Sequence, residues 1–112
     1  MADLDEAYVS AAIDHGRGTK VGDPAAANQA YDRIMDSLAQ LRKLPDRGEA
    51  VLLRLLDHPD DSVKVWASSH ILPLQEKMAC RTLTSVASGK GLHAFGARMV
   101  LQEWHAGRLK VP

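Results

Sequence analysis

The chain has 112 residues and a mass of 12.2 kDa, which fits a single domain over residues 1–112. Hydrophobic residues make up 46% of it and charged residues 25%, a composition typical of globular rather than disordered proteins. Cys80 is the only cysteine, which excludes an intrachain disulfide and a cysteine-rich metal site. No apolar run reaches the roughly 18 residues of a membrane span, and the acidic N-terminus lacks an apolar signal segment. We therefore expect a cytoplasmic protein with no membrane partner.

The formal net charge is zero, from 14 bases and 14 acids, but the charges are unevenly distributed. Residues 1–36 carry seven acids and three bases, a net charge of −4, whereas residues 77–112 carry one acid and six bases, a net charge of +5. Such an asymmetry can steer a charged partner toward the protein. The uniformly basic pattern of nucleic-acid-binding domains is absent, so we expect no nucleic-acid partner.

The residue pattern predicts an all-α fold, because Ala, Leu and charged residues dominate and no stretch alternates between apolar and polar residues. Gly16 and Gly18 are expected to end the first helix. Asp23 and Pro24 are expected to begin the second, and Pro45 lies between the second and the third. The six predicted helices cover about residues 4–15, 24–43, 46–57, 61–72, 74–87 and 92–105.

The apolar spacing also predicts which side of each helix is buried. In the second helix, residues three and four apart form one stripe, made of Ala27, Tyr31, Ile34, Leu38 and Leu41. In the fifth, the expected inward residues are Met78, Ala79, Leu83 and Val86. The sixth carries apolar residues around much of its circumference, and Gly107 is a plausible cap after its end.

Two later segments repeat at an offset of 30 residues: Val63-x-x-x-Ala67-x-x-x-Ile71 and His93-x-x-x-Ala97-x-x-x-Leu101. The preceding predicted helices fall at nearly the same offset, a period that suits helical hairpin repeats. In such arrays each hairpin buries its apolar face against its neighbour. The sequence therefore predicts three stacked hairpins.

The stretch LLRLLDHPDDSVKVWA, residues 52–67, resembles a HEAT repeat, with a Leu-rich helix, a turn containing Asp, and a second helix that opens with Val and Lys. Residues 45–110 are similar to a small HEAT-like bacterial family. The matching residues include Val63-Lys64-Val65-Trp66-Ala67-Ser68, Glu76-x-x-Ala79, Gly91-x-x-x-Phe95-x-Ala97 and Leu101-x-Glu103-Trp104-x-x-Gly107. Members are often encoded beside polymorphic toxins, including contact-dependent growth-inhibition systems, and are interpreted as immunity proteins. The resemblance implies a HEAT/armadillo-like α-α superhelix and brings no catalytic residues.

Potential metal ligands are present but poorly spaced. None of the five histidines lies in a zinc-binding spacing such as HExxH. The turn after the third predicted helix contains His58 together with three acids, Asp57, Asp60 and Asp61. These residues could bind a divalent ion, but a capped, solvent-exposed turn explains them better. We expect no metal and no cofactor.

Catalytic patterns are equally weak. Cys80 lies mid-helix beside core positions, so a small buried hydrophobe is favoured over a nucleophile. Residues 88–91, Ser-Gly-Lys-Gly, lack the flanking Gly and Ser or Thr of a phosphate-binding loop and predict a turn. Trp66 and Trp104 fit either core packing or an interface anchor, since Trp is enriched at binding hot spots. The sequence predicts a protein that is not an enzyme.

The acidic first third suggests a binding surface. Asp32 and Asp36 are one helical turn apart and off the predicted buried stripe, so they could enter the basic groove of a nuclease. In a helical solenoid, the second helices of successive hairpins often line one surface. The candidate partner-binding residues on these helices are Asp32, Asp36, Asp61, Lys64, Ser68 and Arg98. We expect an immunity protein that neutralises a cognate toxin domain, with a HEAT-like scaffold or adaptor as the alternative.

Overall fold

The computed structural model describes residues 2–112, with side chains from Asp5 onward. These residues form six α-helices and no β-strand, which confirms the predicted all-α fold. The helices are α1 (Ala2–Lys20), α2 (Pro24–Arg42), α3 (Pro45–Leu55), α4 (Asp61–Ile71), α5 (Glu76–Ala87) and α6 (Leu92–His105). Within this range no helix is long and apolar enough to span a membrane. The chain divides into two compact units, Met1–Val51 and Leu52–Pro112.

In the first unit, α1 and α2 pack against each other across a short connection. The prediction that glycines end α1 is wrong, because the helix continues through Gly16 and Gly18 to Lys20. Both glycines are buried. A β-carbon on Gly18 would lie 2.9 Å from the backbone nitrogen of Ala27, so this glycine permits close helix approach instead of ending the helix. Asp23 caps α2 as predicted, accepting a 3.1 Å hydrogen bond from the backbone N–H of Ala26.

The packed side of α2 differs from the predicted stripe at one large residue. Tyr31 is 42% exposed, so its predicted burial is wrong. The small residues Ala30 and Ser37 are buried instead, at 1% and 7% exposure, and they turn the packed side of the helix away from Tyr31. The buried α2 residues are Ala30, Ile34, Ser37, Leu38 and Leu41, and α1 contributes the buried side chains of Tyr8, Ala11 and Ala12.

The connection from α2 to α3 is tight. Helix α3 begins at Pro45, one residue before the predicted start, because Pro is well suited to the first position of a helix. Gly48 is buried in its first turns, and its backbone N–H donates to the carbonyl of Leu44 at 2.6 Å. The carbonyl of Leu41, near the end of α2, lies directly beside the Gly48 α-carbon. The corner therefore leaves no space for a side chain at this position.

The second unit is built around α4, α5 and α6, each of which packs against the other two. Its apolar core consists of Leu52, Leu55, Leu56, Val63, Ala67, Ile71, Leu72, Ala79, Leu83, Val86, Ala94 and Ala97. The predicted burial of Ala79, Leu83 and Val86 is confirmed, whereas Met78 is 47% exposed and that prediction is wrong. Helix α6 has the predicted bounds, with Gly107 in the left-handed conformation just after it, at a φ of 74°.

The start of α4 is fixed by the turn that resembles a HEAT repeat. The carboxylate of Asp60 accepts hydrogen bonds from the backbone N–H groups of Ser62, at 2.8 Å, and Val63, at 3.3 Å. The Nδ1 atom of His58 accepts a 3.0 Å hydrogen bond from the backbone N–H of Asp60. The hydroxyl of Ser62 lies 3.1 Å from Nε2 of His93, and this contact joins the first turns of α4 and α6.

The stacking of three hairpins into one superhelical domain stays a prediction.

Candidate partner-binding site

Asp32 and Asp36 form an exposed acidic pair on α2, one turn apart. The guanidinium of Arg33 does not neutralise them, because it donates to the Asp14 carboxylate at 2.7 Å and to the Ser10 hydroxyl at 3.1 Å, both on α1. Within the described residues neither aspartate has an ion pair or hydrogen bond. Their negative charge is therefore available to an approaching partner.

Asp61 and Lys64 lie together in the first turn of α4. The Lys64 ammonium is 3.9 Å from the Asp61 carboxylate, and the two side chains are 28% and 51% exposed, respectively. Exposed pairs of this kind contribute about 0–1 kcal/mol to stability. Both residues remain accessible to a partner, although their charges partly cancel.

Ser68 is a wrong site prediction. It is 0% exposed, so it cannot contact a partner on the surface of α4. Its small side chain is buried, as is that of the neighbouring Ala67. The prediction of exposure rested on the polarity of serine alone. The hydroxyl oxygen of Ser68 is buried and has no hydrogen-bond partner among the described residues. An unpaired buried hydroxyl costs stability, since it loses its hydrogen bonds to water.

We expect Ser68→Ala to raise the free energy of unfolding by about 1 kcal/mol, because it removes this unpaired group. Urea unfolding followed by circular dichroism measures the change. The matched control is Ser69→Ala, since the neighbouring hydroxyl is satisfied by the carbonyl of Val65 at 2.7 Å. The change in helix propensity is the same in both variants, so their difference compares the loss of an unpaired hydroxyl with the loss of a bonded one. A Ser68→Ala protein less stable than the unmodified chain would contradict the expectation.

Arg98 is exposed on α6 and holds the end of α5. Its Nη1 atom donates a 2.7 Å hydrogen bond to the carbonyl of Ala87, the last residue of that helix. A cation at a helix C-terminus is electrostatically favourable. Arg98 therefore links α5 to α6, and because the acceptor is a neutral carbonyl, its charge is not cancelled there.

The structure thus brings four candidate residues together in two pairs, Asp32 with Asp36 and Asp61 with Lys64, and leaves Arg98 apart from both. Asp32 and Asp36 lie in the first unit, and Asp61, Lys64 and Arg98 are accessible in the second. A single surface across the second, fourth and sixth helices stays a prediction.

Sequence reasoning missed an apolar surface on α6, which we call the α6 stripe. It consists of Leu92, Phe95 and Met99, which are 46%, 57% and 40% exposed. Residues at these spacings share one side of a helix. The signal was present in the apolar residues around the circumference of this helix, but which of them face outward depends on tertiary packing.

The remaining chemical candidates are the possible metal ligands, Cys80 and the two tryptophans. No group of three or more His, Cys, Asp or Glu that could hold a metal ion lies within residues 2–112. Burial raises the pKa of the Cys80 thiol, and the Glu76 carboxylate raises it further, which opposes formation of a nucleophilic thiolate. The Trp104 indole N–H donates a 2.7 Å hydrogen bond to the Glu76 carboxylate. The ring centroids of Trp66 and His70 lie 5.6 Å apart. Both tryptophans are half-buried, so core packing and interface contact stay open for each.

Comparison with known proteins gives a structural neighbour. No protein-family model matches the sequence, and no curated protein matches it. The structure is similar to the crystal structure of the protein RPA1889 from Rhodopseudomonas palustris CGA009, with a TM-score of 0.88 and 19% sequence identity. The match covers 99% of this chain and 93% of that chain. At this level of identity the similarity establishes a shared all-α fold.

Proposed function

We propose that this chain is a cytoplasmic immunity protein, which binds a cognate toxin domain with nuclease activity and neutralises it without catalysis. The sequence resemblance over residues 45–110 supports the role. The observation that carries the mechanism is the exposed pair Asp32 and Asp36 on α2, whose charges no cation within the described residues neutralises. In this proposal the partner is a protein, and the chain needs neither metal nor cofactor.

The physical basis is charge complementarity. A nuclease holds the phosphates of its substrate through Lys and Arg, so its groove carries a positive field. Two carboxylates on one side of a helix can occupy that field and exclude the substrate. Complementary charges also accelerate association, which matters for an inhibitor that must bind a toxin before it acts. The ion pair of Arg33 with Asp14 leaves the acidic pair without a cation partner, because it holds the cation next to Asp32 in the sequence against α1.

We expect the double variant Asp32→Asn/Asp36→Asn to slow association with the toxin domain by about tenfold at low salt, because it removes the steering charge. The dependence of the association rate on salt should weaken as well. Surface plasmon resonance at several salt concentrations measures both quantities. The matched control is Asp46→Asn/Asp57→Asn, which changes the net charge equally at two exposed acids outside α2. If both double variants slow association equally, the acidic pair is not the binding site.

The partner itself is identified by affinity capture of the tagged protein from its native strain, followed by mass spectrometry. The proposal predicts one stoichiometric partner, the C-terminal fragment of a large secreted protein. Relief of the purified fragment's toxicity by equimolar chain would then establish neutralisation. Several housekeeping partners, or none, would favour the scaffold or adaptor alternative.

A further inference from the structure

The α6 stripe is an apolar surface that no other part of residues 5–112 covers. Leu92, Phe95 and Met99 point away from Ala94 and Ala97, which are 2% and 0% exposed on the packed side of the same helix. The stripe extends over about two helical turns, or roughly 10 Å. Large apolar side chains gathered on an exposed helix side cost solubility, and such patches mark protein-binding surfaces.

Gly96 is half-buried beside this exposed side, and neither packing nor backbone conformation requires a glycine there. A glycine in the interior of a helix costs about 1 kcal/mol relative to alanine. A β-carbon at Gly96 would meet no described atom outside the nearby backbone of α6 within 4 Å, so packing against the described residues does not require glycine here. Its φ is not positive, so the backbone does not require it either. The bare backbone is therefore available for close approach by another helix, as small residues are at close helix contacts.

The charges of the chain segment that carries the stripe favour an acidic occupant. Residues 88–112 contain four basic side chains and one acidic side chain, a net charge of +3. The single acid, Glu103, is paired with Arg108 at 2.6 Å, and this hydrogen bond lowers the pKa of the carboxyl group. Lys90 and Lys110 have no carboxylate partner within the described residues. A second copy docked through the same stripe would bring the same positive charge to it, whereas an acidic partner would compensate that charge.

We propose that the α6 stripe is the docking site for an acidic amphipathic helix of a partner protein. The partner helix covers Leu92, Phe95 and Met99 with its own apolar side chains. It approaches the backbone of α6 most closely at Gly96. Asp and Glu residues that flank its apolar side face Lys90 and Arg98. This surface belongs to the second unit and the acidic pair to the first, and the two prefer opposite charges, so the proposal does not depend on the partner being a nuclease.

The test uses a fluorescein-labelled synthetic peptide of about 18 residues, which is long enough to form a helix. It carries Leu on one side and Glu on the flanks, and a second peptide has Lys in place of every Glu. Fluorescence anisotropy should show that the full chain binds the Glu peptide at least about tenfold more tightly than the Lys peptide. This preference should decrease as salt increases, because the flanking charges are exposed.

Two variants locate the binding surface. Phe95→Ser should weaken binding of the Glu peptide by about tenfold or more, since large aromatic residues dominate such contacts. Gly96→Ala should weaken binding by about fivefold, because the added methyl blocks close helix approach, while the melting temperature rises. The matched control is Val21→Ser, which removes an apolar side chain that is 76% exposed in the first unit. It should leave binding unchanged.

Three results would overturn the proposal. The first is no binding of either peptide, or equal binding of both. The second is binding that Phe95→Ser leaves intact, which would place the peptide elsewhere. The third comes from sedimentation of the chain without peptide: a dimer that Phe95→Ser dissociates would identify a second copy as the occupant. A monomeric chain that shows the charge preference and both variant effects supports the proposal.

Discussion

Gly48→Ala is expected to lower the free energy of unfolding by about 2 kcal/mol, the difference between a steric cost and a smaller gain in helix propensity. A β-carbon at this position would lie 2.8 Å from the carbonyl carbon of Leu41 and closer still to its oxygen. Both atoms belong to the backbone, so a change of side-chain rotamer cannot relieve the clash, and overpacking of this severity costs about 3 kcal/mol. The better helix propensity of alanine returns about 1 kcal/mol. Urea unfolding at neutral pH measures the net change.

The matched control is the same substitution at a helical glycine that has open space around it. Gly96→Ala adds an identical methyl group within α6, where no described atom beyond the helix's own nearby backbone lies within 4 Å of a β-carbon. It should therefore stabilise the chain by about 1 kcal/mol through helix propensity alone. Equal effects of the two substitutions would show that the corner between α2 and α3 can relax, contrary to the packing at Gly48.

Alkaline conditions are expected to unfold the protein through Tyr8. The residue is 0% exposed, and burial raises its pKa well above the ordinary value of 10.0, although the charge of Arg42 partly opposes this. Above pH 10 the folded state keeps the phenolic proton while the unfolded state releases it, so rising pH favours unfolding. The contribution of Tyr8 is fully present below pH 10.0 and decreases by about 1.4 kcal/mol per pH unit until the folded-state pKa is reached.

Measurements of unfolding free energy from about pH 9 to pH 12 test this slope. They should use a Cys80→Ser background, since burial also raises the pKa of that thiol and would add a slope of the same sign. Tyr8→Phe should flatten the alkaline decline, whatever its effect at neutral pH. Tyr31→Phe controls for the loss of a tyrosine at a 42% exposed position and should keep the decline. A decline that persists in Tyr8→Phe would contradict the assignment.

The sequence predicted the helices best where local chemistry determines them. The bounds of α6 were correct because Gly91 precedes the helix and Gly107 follows it, both with positive φ. The end of α1 was misplaced because Gly18 serves contact with Ala27, and that partner is known only once α2 is packed. A glycine that ends a helix and one that lets two helices meet look identical in a sequence.

The candidate site was predictable only where residue type alone determines whether a side chain is exposed. Asp32 and Asp36 were expected on the surface and are exposed, since charged residues are rarely buried without a partner. Ser68 was expected there as well, but serine is small enough to pack in a core, and its exposure depends on neighbouring helices. Phe95 and Met99 were missed because large apolar residues are usually buried. Their exposure follows from the side of α6 that the rest of the unit covers.

The close contact of α1 with α2 at Gly18 also constrains how this protein can diversify. Any side chain larger than hydrogen at Gly18 would collide with the backbone of Ala27, so the helix pair can accept few changes there. On the outward side of α2, by contrast, substitutions at Asp32 and Asp36 disturb no described contact. A tightly packed inner side with an outer side open to substitution lets the exposed surface of α2 change by point mutation without disturbing the contact between α1 and α2.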